Sequence, residues 1–290
     1  MEHCNILIIG AGAAGLSAAK AAWEAGCTNI LLVDRKSTPG GVLRQCRHHG
    51  FELNMDGPQY IEKVTQDFPQ DIRYLPDTTV VSLSESKEAL LKSPRFGAKT
   101  VSFDQLILAA GCLEIPLGAL SIAGTRPKGV YTAGQMQEMM HLHGFRPEGP
   151  VVILGSGDLG LIMAKHLYEA EIPVAAIVEQ RENCGGLTRN QHFLPQSGIP
   201  LLCSNTIARI QGYPRLEGVV LADGAEIPCN TLLIAAGLKP DRALAYGLEA
   251  KEWLHFCGNC KKVYPMVEAV VLDGRQAALR AVSALKNMTK

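Results

Sequence analysis

The chain has 290 residues, 28 Lys and Arg against 28 Asp and Glu, 47% apolar residues and 29 glycines. That composition excludes a disordered or collagen-like chain, and the balanced charge argues against nucleic acid or an anionic membrane surface as the main partner. The length is about twice that of a usual domain, so two domains, each with its own core, are expected.

Taken in chain order, residues 6–9 form an apolar run, read as a strand, that ends in Gly10-Ala11-Gly12-Ala13-Ala14-Gly15. An Ala-rich helical stretch to Ala25 and a second apolar run at 30–33, closed by Asp34, follow. No basic segment or cleavage site precedes the first run, so no leader is expected, and the apolar stretch 6–19 is too short and too rich in Gly and Ala to span a bilayer. A later strand ends in Ala109-Ala110-Gly111, and the Pro- and Gly-rich stretch 111–134 reads as a crossover. His141 and His143 then lie on a Met-rich helical stretch with Met136, Met139 and Met140, read as a packed or interface helix.

The pattern then repeats. Residues 151–154 lead into Gly155-Ser156-Gly157-Asp158-Leu159-Gly160, a helical stretch to about Ala170, and a strand at 174–178 closed by Glu179. In both copies the acid lies 24 residues after the first glycine (10 to 34, 155 to 179). Residues 230–237 end in Ala235-Ala236-Gly237 as the earlier strand ends in Ala109-Ala110-Gly111, and Gly237-Leu238-Lys239-Pro240 begins a return. This is strand, tight turn, helix, parallel strand, twice. The expected fold is α/β, with two Rossmann-like dinucleotide-binding domains, the second inserted in the first: residues 1–117 and 245–290, and residues 118–244.

A nucleotide pyrophosphate needs close backbone approach and unpaired N–H donors, and a glycine turn at a helix N-terminus supplies both. In the first copy Gly10 allows the turn, Gly12 lets the phosphate approach, and Gly15 lets helix and strand pack closely. Asp34 and Glu179 are the candidates to accept hydrogen bonds from ribose hydroxyls. One such loop is a weak signal; two, each between apolar strands with its acid at the same offset, are a strong one.

With Pro39-Gly40-Gly41 and Phe256-Cys257-Gly258-Asn259 added, nearly the whole chain resembles the two-dinucleotide flavoprotein reductases, the pyridine-nucleotide-disulfide oxidoreductase superfamily. The runs from Gly40 to Phe51, Gly129 to Gln135 and Gly185 to Asn190 resemble its small FAD/NAD(P)-dependent members, akin to the FAD subunits of opine oxidase and hydrogen cyanide synthase and to proteins accompanying anaerobic glycerol-3-phosphate dehydrogenases. The resemblance implies FAD on Gly10, Gly12, Gly15 and Asp34, and NAD(P)H on Gly155, Gly157, Gly160 and Glu179. It implies a backbone contact to adenine near Val80 and a flavin contact at Gly258 and Asn259. The remaining cofactor-binding candidates are Ala14, Arg35, Gly41, Gln45, Gly111, Asp158, Leu159 and Gly237. Glu179 points to NADH over NADPH because it would repel a 2′-phosphate, with Arg181 partly offsetting it. Such relatives serve as one component of a multi-subunit dehydrogenase, which implies a partner flavoprotein or iron-sulfur subunit. The chain departs from the family where Gly258-Asn259 replaces Gly-Asp, and where the segment from Gly237 to Phe256 is short.

Nine cysteines, an odd and scattered set, suggest reduced thiols and a cytoplasmic protein. Neither standard cysteine pair of the disulfide reductases is present: only Cys46 follows Gly40-Gly41, and residues 113–151 hold none. Cys257-Gly258-Asn259-Cys260 has redox-pair spacing, but it also overlays the flavin motif, which is the preferred reading. Cys46, followed by Arg47, His48 and His49, reads as an activated thiol or, preferably, a buried one. No metal site is expected, because no second C-x-x-C or paired His stands at ligand spacing. The expected activity is an FAD-dependent NAD(P)H oxidoreductase, moving hydride between nicotinamide and flavin and electrons to or from a second substrate or partner, with no assigned catalytic side chain. The alternative is a non-catalytic FAD/NAD-binding component or redox sensor within a larger complex.

Overall fold

The computed structural model describes residues 2–288. The chain forms two compact units, Met1–Leu113 with Lys239–Lys290, and Glu114–Leu238. These breaks fall a few residues ahead of the expected 118 and 245. The reason is a pairing that local sequence does not show: Cys112–Glu114 and Leu238–Pro240 are short strands that make a two-stranded ribbon. Within the second unit the Ile115 amide donates to Gly237 O (3.0 Å), and within the first the Asp241 amide donates to Gly111 O (3.1 Å). The stretch 111–134 is therefore not a bare crossover. Its residues Val130–Thr132 are already a strand of the second unit.

In the first unit the strand Glu2–Ile9 lies between Ile30–Val33 and Gly97–Leu108, parallel to both. Arg73–Leu75 extends the sheet beyond Ile30–Val33. The long strand Gly97–Leu108 pairs with Glu88–Ser93 antiparallel through its first half and with Leu254–Phe256 in parallel through its last residues. Successive side chains of a strand point to opposite faces. Ile6, Ile8 and Leu32 accordingly join the helices Ala13–Glu24 and Val267–Met288 in one core, while Leu7, Ile9, Leu31 and Phe103 join Trp253 in the other.

The helix Ala13–Glu24 buries Ala14, Gly15, Ala18, Ala19, Ala21 and Ala22, a face of small residues. Small side chains on both partners let two helices approach closely, and Val267–Met288 answers with Gly274, Ala277, Ala278 and Ala281. A Cβ on Gly274 would collide with the backbone of Ala14.

The second unit holds a parallel five-stranded sheet in the order Leu201–Leu202, Val174–Val178, Val151–Leu154, Thr231–Ile234, Val130–Thr132. Val151–Leu154 and Thr231–Ile234 are buried along their whole length, as strands covered on both faces must be. A second sheet runs Glu226–Pro228, Gly218–Leu221, Ile207–Gln211, Ala123–Gly124. The Met-rich stretch is the helix Ala133–His143, capped by Thr132, with Met136 fully buried and the His141 ring packed on His166 (centroids 4.7 Å apart). Among the described residues no helix is long and apolar enough to cross a membrane.

Candidate dinucleotide sites

Each glycine loop joins a buried central strand to a helix that begins on its second glycine. Gly12 caps Ala13–Glu24 and Gly157 caps Asp158–Glu169, both in extended conformation and neither with a side-chain cap. The first-turn N–H groups of a helix have no intrahelical acceptor, so both helices present donors.

The three glycines of a loop do three different jobs, and both loops divide them alike. Gly10 and Gly155 sit at φ +103° and +107°, where an L side chain is strained, and a Cβ would strike Ala109 O or Ala235 O. On Gly15 and Gly160 a Cβ would drive into Gly10 O or Gly155 O. On Gly12 and Gly157 it would meet nothing within 4 Å. Backbone closes in below the loop and leaves open space above it, a cradle that fits a dinucleotide pyrophosphate.

The acids are buried and already engaged. Asp34 Oδ2 accepts from the Ala11 amide (2.6 Å) and Oδ1 from the Lys36 amide (2.8 Å), which ties the strand end to the loop. Each carboxylate oxygen keeps a second lone pair for a hydroxyl. Glu179 is more fully occupied. It accepts from the Ser156 amide (2.8 Å) and hydroxyl (2.6 Å), and from Arg181 through its amide (3.0 Å), Nε (2.9 Å) and an Nη (3.1 Å). The Arg181 guanidinium holds the Glu179 carboxyl well below the usual carboxylate range, against the opposing effect of burial and with help from Ser156. Gly185 makes room for this pair, since a Cβ there would fall on the guanidinium.

The other candidates are spread over both units. Gly40 N donates to Ala11 O (2.7 Å), and a Cβ on Gly41 would lie 3.2 Å from Gly12 Cα, so this segment rests on the first loop. Ala14 is buried against Gly258, Gln45 is buried, Arg35 is exposed, and Val80 is half-buried on the strand Thr79–Leu83. Gly111 and Gly237 each follow a central strand and have open space where a Cβ would be, apart from Ile115 Cγ1 at 3.9 Å from the latter. In the second loop Leu159 packs on the unit's core, while the Asp158 carboxylate accepts from the Leu187 amide and Asn190 Nδ2 (both 2.7 Å). The Asp158 side chain therefore anchors the segment 187–190 at the loop.

All nine thiols are free. Cys257 caps and Cys260 ends a three-residue 3₁₀ turn, Gly258–Cys260, after the strand Leu254–Phe256, rather than opening a long helix. Burial pushes the Cys46 thiol up to about 12, Cys260 up to about 11, and Cys257 further up. Cys46 Sγ donates to Val42 O (3.3 Å) and Cys260 Sγ to Asp241 O (2.9 Å). These are protonated, packed thiols, because burial outweighs the nearby cations, Arg280 and Lys261 at Cys257 and Arg242 at Cys260.

Sequence reasoning passed over two residues beside Gly258. Asp273 is buried, accepts from the Gly258 amide (2.9 Å) and pairs with Lys261 (2.7 Å). The signal was there to read: an acid on the same helical face as Ala277, Ala281 and the small residues that pack on Ala13–Glu24.

Two nested units, each with an uncapped glycine cradle and a terminal acid, define a two-dinucleotide oxidoreductase architecture. The chain belongs to the pyridine nucleotide-disulphide oxidoreductase family, whose model matches residues 4–255. This is a family of flavin-dependent enzymes that use FAD and NAD(P)H. The chain is 28% identical over 233 residues to the HcnB component of hydrogen cyanide synthase from Pseudomonas protegens, covering 76% of this chain and 47% of that protein. It is 28% identical over 275 residues to an opine oxidase subunit from Rhizobium meliloti, covering 84% of this chain and 52% of the relative. The chain thus spans about half the length of each of these relatives. Its fold matches the crystal structure of T. acidophilum thioredoxin reductase with a TM-score of 0.77 at 19% identity, covering 98% of this chain and 99% of that one.

Proposed function

We propose that this chain is an FAD-dependent NAD(P)H oxidoreductase that passes electrons to or from a second substrate or partner redox protein without the standard redox disulfide. In this reading Met1–Leu113 with Lys239–Lys290 holds FAD, and Glu114–Leu238 holds the nicotinamide nucleotide. The observation that carries it is the duplicated cradle, closed below by glycine–backbone contacts and open above Gly12 and Gly157. Both relatives are named as subunits, which supports a partner flavoprotein or iron-sulfur protein. The odd, scattered set of nine cysteines supports a cytoplasmic location.

When bound, FAD and NAD(P)H supply the hydride chemistry between them, so no acid or base side chain is required of the protein. The chain's own part is binding and orientation. Helix N-termini at Gly12 and Gly157 would offer donors and a favourable dipole to pyrophosphate, Asp34 would accept from a ribose hydroxyl, and Glu179 would do the same in the second unit on giving up one of its five protein hydrogen bonds.

The test is anaerobic addition of NADH to the purified chain and to its Cys46→Ser/Cys257→Ser/Cys260→Ser variant. Both are expected to carry FAD and to lose its yellow absorbance at comparable rates. Stable colour in the native chain under excess NADH would replace the enzyme with a structural flavin-binding component. Loss of reduction in the fully flavinated variant alone would restore a thiol-dependent route.

The nucleotide preferred is NADH. In this reading Glu179 is the ribose-side acid of the second unit, and its ion pair with Arg181 (2.9 Å) commits that charge to the acid rather than to a 2′-phosphate. Removing the acid frees the guanidinium. Glu179→Ala is therefore expected to lower the NADH/NADPH ratio of flavin-reduction efficiencies by about tenfold, the ~1.4 kcal/mol scale of one altered ionic contact. An unchanged ratio in stopped-flow measurements with both nucleotides would remove Glu179 as the selector.

A further inference from the structure

The helix Val267–Met288 carries an aspartate inside its packed face. Asp273 is 5% exposed, and Gly274 beside it lies against the backbone of Ala14, in the first turn of the helix that begins at Gly12. A carboxylate in such a place is costly unless its oxygens are met. Both are met, and by the same short segment. Oδ2 accepts from the Gly258 amide at 2.9 Å, and Oδ1 takes the Lys261 ammonium at 2.7 Å. Gly258 is held at φ +62°, with its Cα turned so close to Ala14 that an added Cβ would lie 2.6 Å from the Ala14 side chain. Asn259, next in the chain, accepts from the Tyr264 amide (3.0 Å).

One buried acid thus fastens both ends of the turn 258–261 to the helix that packs on the first glycine loop. We infer that Asp273 is a positioning residue for the flavin: it presets the Gly258-Asn259 turn in its binding conformation, and Lys261 supplies the balancing charge. The inference rests on the proposal that this unit holds FAD. Its physical basis is preorganisation. A charge-assisted hydrogen bond to a backbone amide is stronger than a neutral one, and a turn ordered beforehand does not draw its ordering cost from the binding energy. The neutral Asn259 fits the same picture, because the carboxylate of this neighbourhood is placed beneath the turn and already neutralised.

Two measurements on the apoprotein test it: FAD affinity by fluorescence titration, and amide hydrogen exchange of the peptide covering residues 257–264. Asp273→Ala is expected to weaken FAD by about tenfold or more, the loss of one charge-assisted hydrogen bond, and to speed exchange at Gly258. Asp273→Asn keeps an acceptor oxygen and is expected to stay within about threefold of the native chain with exchange still slow. If Asp273→Ala does not fold, Asp273→Ser takes its place, because it removes the carboxylate while keeping a small polar group in the buried position. Native FAD affinity in the Ala or Ser variant would overturn the inference, as would an Asn variant that falls as far as they do. Failure of the native chain to bind FAD would instead overturn the flavin reading on which it rests, whatever the exchange rates show.

Discussion

Gly12→Val is expected to give a folded chain that has lost its FAD. The backbone at Gly12 is extended, φ −78° and ψ −173°, a conformation valine adopts readily, and nothing lies within 4 Å of the Cβ it would gain. The folded state therefore tolerates the substitution. The methyl groups instead occupy the space above the helix N-terminus through which a pyrophosphate must approach to reach the first-turn amides. The expected loss of FAD affinity is about 100-fold or more, the ~3 kcal/mol scale of two lost phosphate hydrogen bonds. The melting temperature of the apoprotein should stay within about 2 °C of the native value, since surface-type substitutions cost little. Gly157→Val should do the same to the nicotinamide nucleotide while leaving the flavin in place. Flavin content after purification, read from the visible spectrum, decides the first case, and full occupancy in Gly12→Val would move the site elsewhere.

Gly15→Ala is expected to do the reverse, damaging the fold first. Its single added carbon is directed at the carbonyl of Gly10, and both the carbonyl oxygen and carbon lie inside contact distance. That carbonyl belongs to a loop pinned by two backbone hydrogen bonds, Gly10 N to Val33 O (2.8 Å) and Gly40 N to Ala11 O (2.7 Å), so it has little freedom to retreat. Overpacking of this kind costs about 1–3 kcal/mol or more, which for a unit of this size lowers the melting temperature by roughly 5–10 °C. Gly160→Ala repeats the collision in the second unit, against Gly155 O. Thermal unfolding of both apoproteins measures the effect. A melting temperature within about 1 °C of native in either would mean that the loop is looser than this geometry.

The strand–loop–helix units were legible in the sequence because their determinants are local. Apolar runs marked the strands Ile30–Val33, Val151–Leu154 and Val174–Val178, and the glycine loops marked the helices that follow, whose starts at Ala13 and Asp158 fall within the loops themselves. Antiparallel pairing extends a strand beyond its apolar end: Gly97–Leu108 begins nine residues before the apolar run Leu106-Ile107-Leu108, where it pairs with Glu88–Ser93. Val130–Thr132 was hidden for a similar reason, as three residues in a Gly- and Pro-rich stretch become a strand only against Thr231–Ile234.

The candidate site divides along the same line. Which glycines close a loop and which acid ends the unit follow from the chain itself, since spacing along a strand, a turn and a helix is set by backbone geometry within some two dozen residues. What each polar group is bonded to does not. Ser156 on Glu179, Asp158 beneath residues 187–190, and Asp273 under Gly258 join residues 23, 29 to 32 and 15 positions apart, and each depends on how separate elements pack. The cysteines make the point most plainly. Cys257 and Cys260 have the spacing of a redox pair, yet Cys257 is buried in the core that holds Ala277 and Ala281, Cys260 in the one that holds Phe103 and Trp253, and burial keeps both protonated. Spacing is a property of the chain, whereas a thiol's acidity is a property of what surrounds it, and only the tertiary structure supplies the surroundings.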